Sequence, residues 1–285
     1  MKYRYYLPLL LSLMSFLLSC KKDNDLENAV PLPAAVILDT AYGTDPLQKM
    51  DIYLPSGRDG HSPTIVLIHG GGWSGGDKNE LTSSVKGIQD IFPGYAVVNI
   101  NYRLAKDGVT NVFPTQENDV KSAIETILRN TGEFHISDDL ILIGFSAGGH
   151  LALLHGYKND PGKNVKAIVD FFGPTDLAAL SNIGLVQALI LFNATGKTYS
   201  QHQEIFIQSS PVNFVTKDSP PTIILQGGKD ELVPPSQAAI LNNKLEEKHV
   251  THQLVLYPEE GHGWTGINLL DSFEKIKNFI RANIK

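Results

Sequence analysis

The sequence is poor in cysteine and in clustered positive charge. Cys20 is the only cysteine among 285 residues, so no disulfide can form within the chain. Lys and Arg number 24 against 30 Asp and Glu, a formal net charge of −6, and both signs are interspersed along the chain. Without a basic stripe the chain lacks the attraction to phosphate that nucleic acid requires, and we expect no nucleic-acid partner. Repeats and low-complexity segments are also missing, which favours one globular domain behind a short leader.

The start of the chain has the pattern of an export signal. Lys2 and Arg4 precede an apolar run, residues 7–18, that is too short to cross a bilayer as a helix. The run ends at Leu17-Leu18-Ser19-Cys20, which resembles a bacterial lipobox, so we expect Cys20 to be lipidated. A cysteine at this point has no core to enter, which argues against the alternative of a buried thiol. The expected division is a lipoprotein signal peptide at 1–20, a polar tether at 21–35 and a single folded domain at 36–285.

A lipid on Cys20 would anchor the exported protein in a membrane, facing the periplasm or the exterior of a Gram-negative cell. Cys20→Ser removes the lipid acceptor, and we expect that protein to leave the membrane fraction for the soluble fraction. Cell fractionation followed by immunoblotting checks this, with Asn24→Ala in the tether as the matched control. An unchanged distribution of Cys20→Ser would contradict the anchor.

From residue 36 onward, short β-rich runs alternate with amphipathic helical stretches. This alternation predicts an α/β fold with an eight-stranded, mostly parallel sheet and helices on both faces. The continuously apolar runs 65–68 and 140–143 are typical of central strands, whereas the alternating run 50–54 predicts a half-exposed edge strand. Around 177–210 the pattern is less regular and indicates a helical insertion. We expect it to lie above the sheet, where it would form one wall of a functional site. The predicted strands are 36–41, 49–54, 64–69, 96–101, 140–145, 165–171, 222–226 and 252–257, and the predicted helices are 80–91, 114–130, 147–157, 235–248 and 267–285.

The pentapeptide Gly144-Phe145-Ser146-Ala147-Gly148 has the pattern G-x-S-x-G between a predicted buried strand and a predicted helix. A serine on so tight a turn is strained and projects its Oγ out of the sheet, and the small flanking residues let neighbouring backbone approach. The alternative interpretation is a glycine-rich turn whose serine only caps the helix. The strand-turn-helix context favours Ser146 as a nucleophile.

A serine hydroxyl attacks only when a base takes its proton, and an acid must hold that base in the right tautomer. Asp230 follows the predicted strand 222–226, which gives an acid at a strand end. Glu231 and Asp176 are alternatives. Asp230 is preferred because it lies in the turn just beyond the strand, whereas Asp176 fits the N-cap of a helix.

His262 is the candidate base among nine histidines. It follows the last predicted strand and lies between two glycines, which suits a side chain that must reach across a site. His150 and His155 lie on the helix after Ser146, where packed core histidines are expected. The order Ser146, Asp230, His262 is the one that α/β-hydrolases use.

The run His69-Gly70-Gly71-Gly72-Trp73 directly follows the third predicted strand. Successive glycines leave backbone N–H groups unshielded, so Gly71 and Gly72 are expected to form an oxyanion hole with the N–H of Ala147. The alternative is a flexible loop. His69 is expected to orient this loop through a hydrogen bond.

These residues resemble the α/β-hydrolase esterases, and within them the bacterial feruloyl-esterase-like and hormone-sensitive-lipase-like groups. The resemblance implies Ser146, Asp230 and His262 as a catalytic triad and a structural role for Tyr102-Arg103. The matching blocks are Asp45 to Pro55, His69 to Trp73, Asn101 to Leu104, the pentapeptide at Ser146, Pro220 to Thr222 leading to Asp230, and Leu232 to Pro234.

The chain departs from hormone-sensitive lipases before the third strand. Predicted strands fill 36–64 and leave no room for the helical cap of those lipases, so we expect a shallow site for short acyl groups. Trp73 and Trp264 flank the triad and either bind an aromatic acid or a sugar ring, or serve as packing residues.

The sequence therefore predicts a serine esterase that cleaves small-molecule or carbohydrate esters, such as acetyl or feruloyl esters, through an acyl-enzyme, without a metal or organic cofactor. A peptidase or amidase of the same fold and a non-catalytic glycan-binding lipoprotein are the alternatives.

Overall fold

The computed structural model describes residues 30–284, which form an eight-stranded sheet flanked by helices. The predicted signal peptide, Cys20 and most of the predicted tether lie outside the described residues. Among residues 30–284, no helix combines the length and the apolar character needed to cross a membrane. The strands are β1 (Ala35–Ala41), β2 (Lys49–Leu54), β3 (Thr64–Ile68), β4 (Ala96–Ile100), β5 (Leu140–Phe145), β6 (Val165–Phe171), β7 (Thr222–Gly227) and β8 (His252–Tyr257).

The sheet has the order β1-β2-β4-β3-β5-β6-β7-β8. Strand β2 runs antiparallel to both of its neighbours, β1 and β4. The six strands β3 to β8 are parallel to one another. The prediction of an eight-stranded, mostly parallel sheet is confirmed, and β3 and β5 are central, as their apolar runs indicated. The carboxyl ends of the parallel strands meet at one edge of the sheet, which is where such folds place their binding sites.

The prediction that β2 is an edge strand is wrong, because β2 lies between β1 and β4. The alternation in its sequence has another cause. Met50 and Ile52 are buried in the core, and Asp51 between them is also buried, where its Oδ2 accepts a hydrogen bond from Lys78 Nζ at 2.7 Å. Burial alone would lower the pKa of Lys78, but hydrogen bonds to Asp51 and Asp39 outweigh it and raise that pKa. A buried ion pair therefore lies on the face of β2 that the sequence pattern predicted to be exposed to water.

Two apolar cores cover the two faces of the sheet. In β3, for example, Val66 and Ile68 belong to one core, and Ile65 and Leu67 belong to the other. Helices α2 (Thr115–Arg129), α4 (Ala147–Lys158) and α8 (Pro235–Glu247) pack on the first face, and α1 (Thr82–Ile91) and α9 (Gly266–Asn283) pack on the second. Helices on both faces are thus confirmed. The four-residue helix α3 (Thr131–Phe134) follows α2, and short 3-10 helices cover Lys78–Leu81 and Pro211–Phe214.

The segment between β6 and β7 is helical. It contains α5 (Leu177–Ser181), α6 (Leu185–Thr195) and α7 (Gln203–Gln208). Asp176 caps α5, because its Oδ1 accepts a hydrogen bond from the Ala179 N–H at 2.9 Å. This segment follows the carboxyl end of β6, so it is inserted at the edge of the sheet where the candidate site lies.

Candidate active site

Ser146 lies at the sharp turn between β5 and α4. Its backbone has φ 54° and ψ −120°, a conformation that costs free energy for a residue with a Cβ. Gly148 packs directly against β3, because a Cβ on residue 148 would stand only 2.1 Å from the Ile68 carbonyl oxygen. Glycine at this position therefore lets the turn approach the strand. The N–H of Ser146 also donates to the Phe171 carbonyl at 2.8 Å, which holds the turn against β6.

The structure brings Ser146, His262 and Asp230 together in one chain of hydrogen bonds. The distance from Ser146 Oγ to His262 Nε2 is 2.9 Å, and that from His262 Nδ1 to Asp230 Oδ2 is 2.7 Å. The side chain of His262 is 22% exposed, and that of Asp230 is fully buried. The three residues follow β5, β7 and β8, and His262 lies 116 positions after Ser146 and 32 positions after Asp230 in sequence.

The Asp230 carboxylate accepts hydrogen bonds on both oxygens. Oδ1 accepts from the N–H groups of Leu232 and Val233, each at 2.9 Å, and Oδ2 accepts from Gln226 Nε2 at 3.3 Å in addition to His262. These donors stabilise a charged carboxylate in a buried position and fix its direction. Of the alternative acids, Glu231 is exposed and Asp176 is the helix cap described above.

A cavity of about 40 Å³ lies beside Ser146. Two of the three predicted oxyanion residues, Gly72 and Ala147, line it. Within residues 30–284 their N–H groups donate to no protein acceptor, so both remain free to bind a ligand oxygen. Gly71 forms the turn before them: its φ is +102°, and its carbonyl accepts from Gly75 N–H at 2.9 Å. The apolar side chains that line the cavity are Trp73, Pro174, Leu180, Ile190, Leu232 and Val233, and Gln187 is polar.

Tyr102 and His69 hold the glycine loop in place. The Tyr102 ring stacks on the His69 ring with centroids 4.2 Å apart, and its hydroxyl lies 3.0 Å from the carbonyl oxygens of both His69 and Gly70. His69 Nδ1 lies 2.8 Å from the Gly70 carbonyl oxygen, and because a carbonyl only accepts, this nitrogen carries a proton and donates. Burial lowers the pKa of His69, which favours the neutral ring. Arg103 forms an ion pair with buried Asp119 at 2.6 Å. This part of the chain is a scaffold for the loop.

Trp73 and His150 connect the loop to the helical insertion. Trp73 Nε1 donates to His150 Nδ1 at 3.2 Å, and His150 Nε2 therefore carries the proton and donates to the Ser209 carbonyl at 2.6 Å. Burial lowers the pKa of His150 to about 4, so the ring is neutral near pH 7. Trp73 itself is 2% exposed and forms part of the cavity wall. Like His150, His155 is buried in the core.

Sequence reasoning missed the turn after β6. Phe172 has φ 44°, and its ring lies 4.7 Å from the His262 ring between centroids. Buried Asp170 stabilises this turn by accepting from the Gly173 N–H at 3.0 Å, and burial raises the pKa of Asp170 to about 7. The turn places Phe172 against His262 and Pro174 in the cavity wall. A strained bulky residue leaves no signal in a sequence, because its conformation is imposed by the surrounding structure.

Trp264 belongs to an aromatic cluster and not to the residues that line the cavity. It packs against Phe171, Phe172 and Tyr257, and its Nε1 donates to Ser272 Oγ at 2.9 Å. Of the two tryptophans, the structure places Trp73 at the cavity and Trp264 within an aromatic cluster.

The sheet order, the strand-turn-helix at Ser146 and the acid and histidine after the last two strands define an α/β-hydrolase. Residues 50–245 match the family model of BD-FAE, so the chain belongs to the BD-FAE family. The resemblance inferred from the sequence motifs is confirmed.

Named relatives include esterases from several sources. The chain is similar to esterase LipC of Mycobacterium tuberculosis (strain ATCC 25618 / H37Rv), with 27% identity over 259 residues that cover 81% of this chain and 59% of LipC. Among solved structures, a bifunctional GH43-CE protein of Bacteroides eggerthii has a TM-score of 0.77 and 26% identity, covering 88% of this chain and 38% of that chain. A truncated form of a carbohydrate esterase from gut microbiota has a TM-score of 0.74 and 26% identity, covering 87% and 96% of the two chains. The chain thus spans less than two thirds of the length of LipC and of the Bacteroides eggerthii protein.

Proposed function

We propose that the protein is a serine esterase that hydrolyses short-chain carboxylic esters. The observation that carries this proposal is the hydrogen-bond chain from Asp230 through His262 to Ser146, whose serine end lies at the cavity lined by Gly72 and Ala147. A nucleophile, a base with its acid, and two free N–H donors are together what acyl transfer needs. The esterase and carbohydrate esterase relatives support the same reaction class.

In the first half of the reaction, Ser146 Oγ attacks the ester carbonyl carbon while His262 Nε2 takes the hydroxyl proton. The negative charge that forms on the carbonyl oxygen is stabilised by the N–H groups of Gly72 and Ala147, the latter at the positive end of α4. Asp230 stabilises the imidazolium without taking its proton. The bond to the alcohol oxygen then breaks, His262 gives its proton to the leaving alcohol, and an acyl-enzyme remains.

In the second half, water enters beside His262 and the roles repeat. His262 takes a proton from the water, the resulting hydroxide attacks the acyl carbon, and the bond from that carbon to Ser146 Oγ breaks as Ser146 regains its proton from His262. The products are a carboxylic acid and free enzyme.

The size of the cavity favours acetyl as the acyl group. A cavity of about 40 Å³ is small compared with ordinary ligand pockets, which favours an acetyl group over the much larger phenylpropenoyl skeleton of a feruloyl group. His262 is partly exposed, so the alcohol side opens to solvent and a large alcohol such as a sugar can be accepted there. A lipid anchor on Cys20 would hold such an enzyme at the cell envelope.

The test is a substrate panel combined with active-site labelling. We expect turnover of p-nitrophenyl acetate and acetylated xylan, slow or no turnover of methyl ferulate and of aminoacyl-p-nitroanilides, and fluorophosphonate labelling mapped to Ser146. Faster cleavage of the anilides would indicate an amidase. A protein that neither turns over an ester nor reacts with the probe would be non-catalytic, and the proposal would be wrong.

A further inference from the structure

Helix α6 in the insertion has one face at the cavity and an opposite apolar face that is exposed. Gln187 and Ile190 face the cavity beside Ser146, and Gln187 is 7% exposed. Leu185 and Leu189 are 75% and 57% exposed and therefore belong to the opposite face. Since residues three apart on a helix share a face, Gln187 and Ile190 form one wall of the cavity.

Both ends of α6 are fixed to the domain. Near its start, Gln187 Nε2 donates to the carbonyls of Glu231 and Leu232, at 2.8 and 3.2 Å, in the loop that carries Asp230. At its end, the Ala194 carbonyl accepts from the Phe113 N–H at 2.8 Å. The helix therefore spans the cavity as a fixed wall, and Ile190 lies between these two attachments.

Ile190 reaches the glycine loop across the cavity. Its Cγ2 lies 3.4 Å from the point that a Cβ on Gly72 would occupy, so the side chain stands directly beside one of the two free N–H donors. Gly72, Ala147 and Ile190 line the same cavity, so an acyl chain that enters the cavity from a carbonyl bound at the two N–H groups meets the Ile190 side chain. Every methylene beyond acetyl therefore competes with this side chain.

We propose that Ile190 of α6 determines the acyl-chain length that the enzyme accepts, with acetyl favoured over longer linear chains. The inference rests on the proposed esterase function and identifies the residue that sets its specificity. Ile190 is a specificity-determining residue and takes no part in proton transfer. Its effect is steric, because the hydrogen bonds near both ends of α6 hold the side chain against the cavity where extra methylenes would lie.

Substitutions of opposite size at this position test the proposal. The measured quantity is kcat/KM for p-nitrophenyl hexanoate divided by kcat/KM for p-nitrophenyl acetate. Ile190→Ala is expected to raise this ratio by about tenfold or more, since a methylene in an apolar pocket changes discrimination by about 10- to 200-fold. Ile190→Phe is expected to lower the corresponding ratio for p-nitrophenyl butyrate over acetate by about tenfold. Leu189→Ala, on the exposed face of the same helix, is the matched control and should leave both ratios unchanged.

The outcomes separate this inference from the proposed function. If both Ile190 variants hydrolyse acetate and keep the wild-type ratios, the esterase proposal stands and the role of Ile190 is wrong. A shift of equal size in Leu189→Ala would also overturn it, because the effect would then come from loosening the helix. If the wild-type protein hydrolyses none of the three esters, the proposed function fails and this inference fails with it.

Discussion

Ser146→Ala is expected to lower kcat/KM for p-nitrophenyl acetate by at least about 10⁴-fold while the protein remains folded. Within residues 30–284, the Oγ of Ser146 is the only hydroxyl that we find bonded to His262, so alanine leaves the base with no nucleophile to activate. The free N–H groups of Gly72 and Ala147 remain and can still polarise an ester carbonyl. A small residual rate above that of water is therefore compatible with the mechanism.

Steady-state kinetics and fluorophosphonate labelling measure this effect together. Ser83→Ala, an exposed serine on α1, is the matched control and should keep both turnover and labelling. Thermal unfolding checks that Ser146→Ala is folded. Alanine also has a Cβ, so the backbone conformation at this turn is as strained as with serine, and the substitution adds no new strain. Wild-type turnover in a folded Ser146→Ala protein would refute the assignment of the nucleophile.

The sheet is predictable from the sequence because burial leaves a direct trace in it. The run Leu140–Phe145 is apolar throughout, as a strand covered on both faces must be, and the structure places it at the centre. Strand β2 shows the limit of this reasoning. In the sequence, the polar Asp51 predicts a face of β2 that is exposed to water. The partner of Asp51, Lys78, lies 27 positions away, and no local pattern shows that the two side chains meet in the core.

The candidate site also has a part that the sequence predicts, the three hydrogen-bonded residues, and a part that it does not, the cavity wall. Ser146, Asp230 and His262 could be selected because each follows a predicted strand, and parallel strands bring their carboxyl ends to one edge. The cavity wall could not be selected. Leu180 and Ile190 come from the insertion and Val233 from the acid loop, and only their approach in the folded chain makes a cavity. These apolar side chains look like ordinary core residues in the sequence.

Asp230→Asn is expected to lower kcat for p-nitrophenyl acetate by about 10³- to 10⁴-fold, although it changes one atom. The amide oxygen of the substituted side chain can still accept from the N–H groups of Leu232 and Val233, so the amide nitrogen takes the place of the carboxylate oxygen beside His262 Nδ1. An amide nitrogen donates and cannot accept, so the ring must place its proton on Nε2. His262 then points a proton at Ser146 Oγ and cannot act as its base.

Two conservative variants of neighbouring acids serve as matched controls for this prediction. Glu231→Gln changes an exposed side chain, and Asp176→Asn keeps an acceptor for the cap of α5, so both should retain nearly wild-type kcat. Because the tautomer of His262 differs only in the Asp230 variant, its ring-nitrogen chemical shifts should change there and nowhere else. Loss of turnover in Glu231→Gln, with activity preserved in Asp230→Asn, would move the catalytic acid to Glu231. The hydrogen bonds favour Asp230 for a physical reason: its buried carboxylate is held by backbone donors on one oxygen, which leaves the other oriented toward His262.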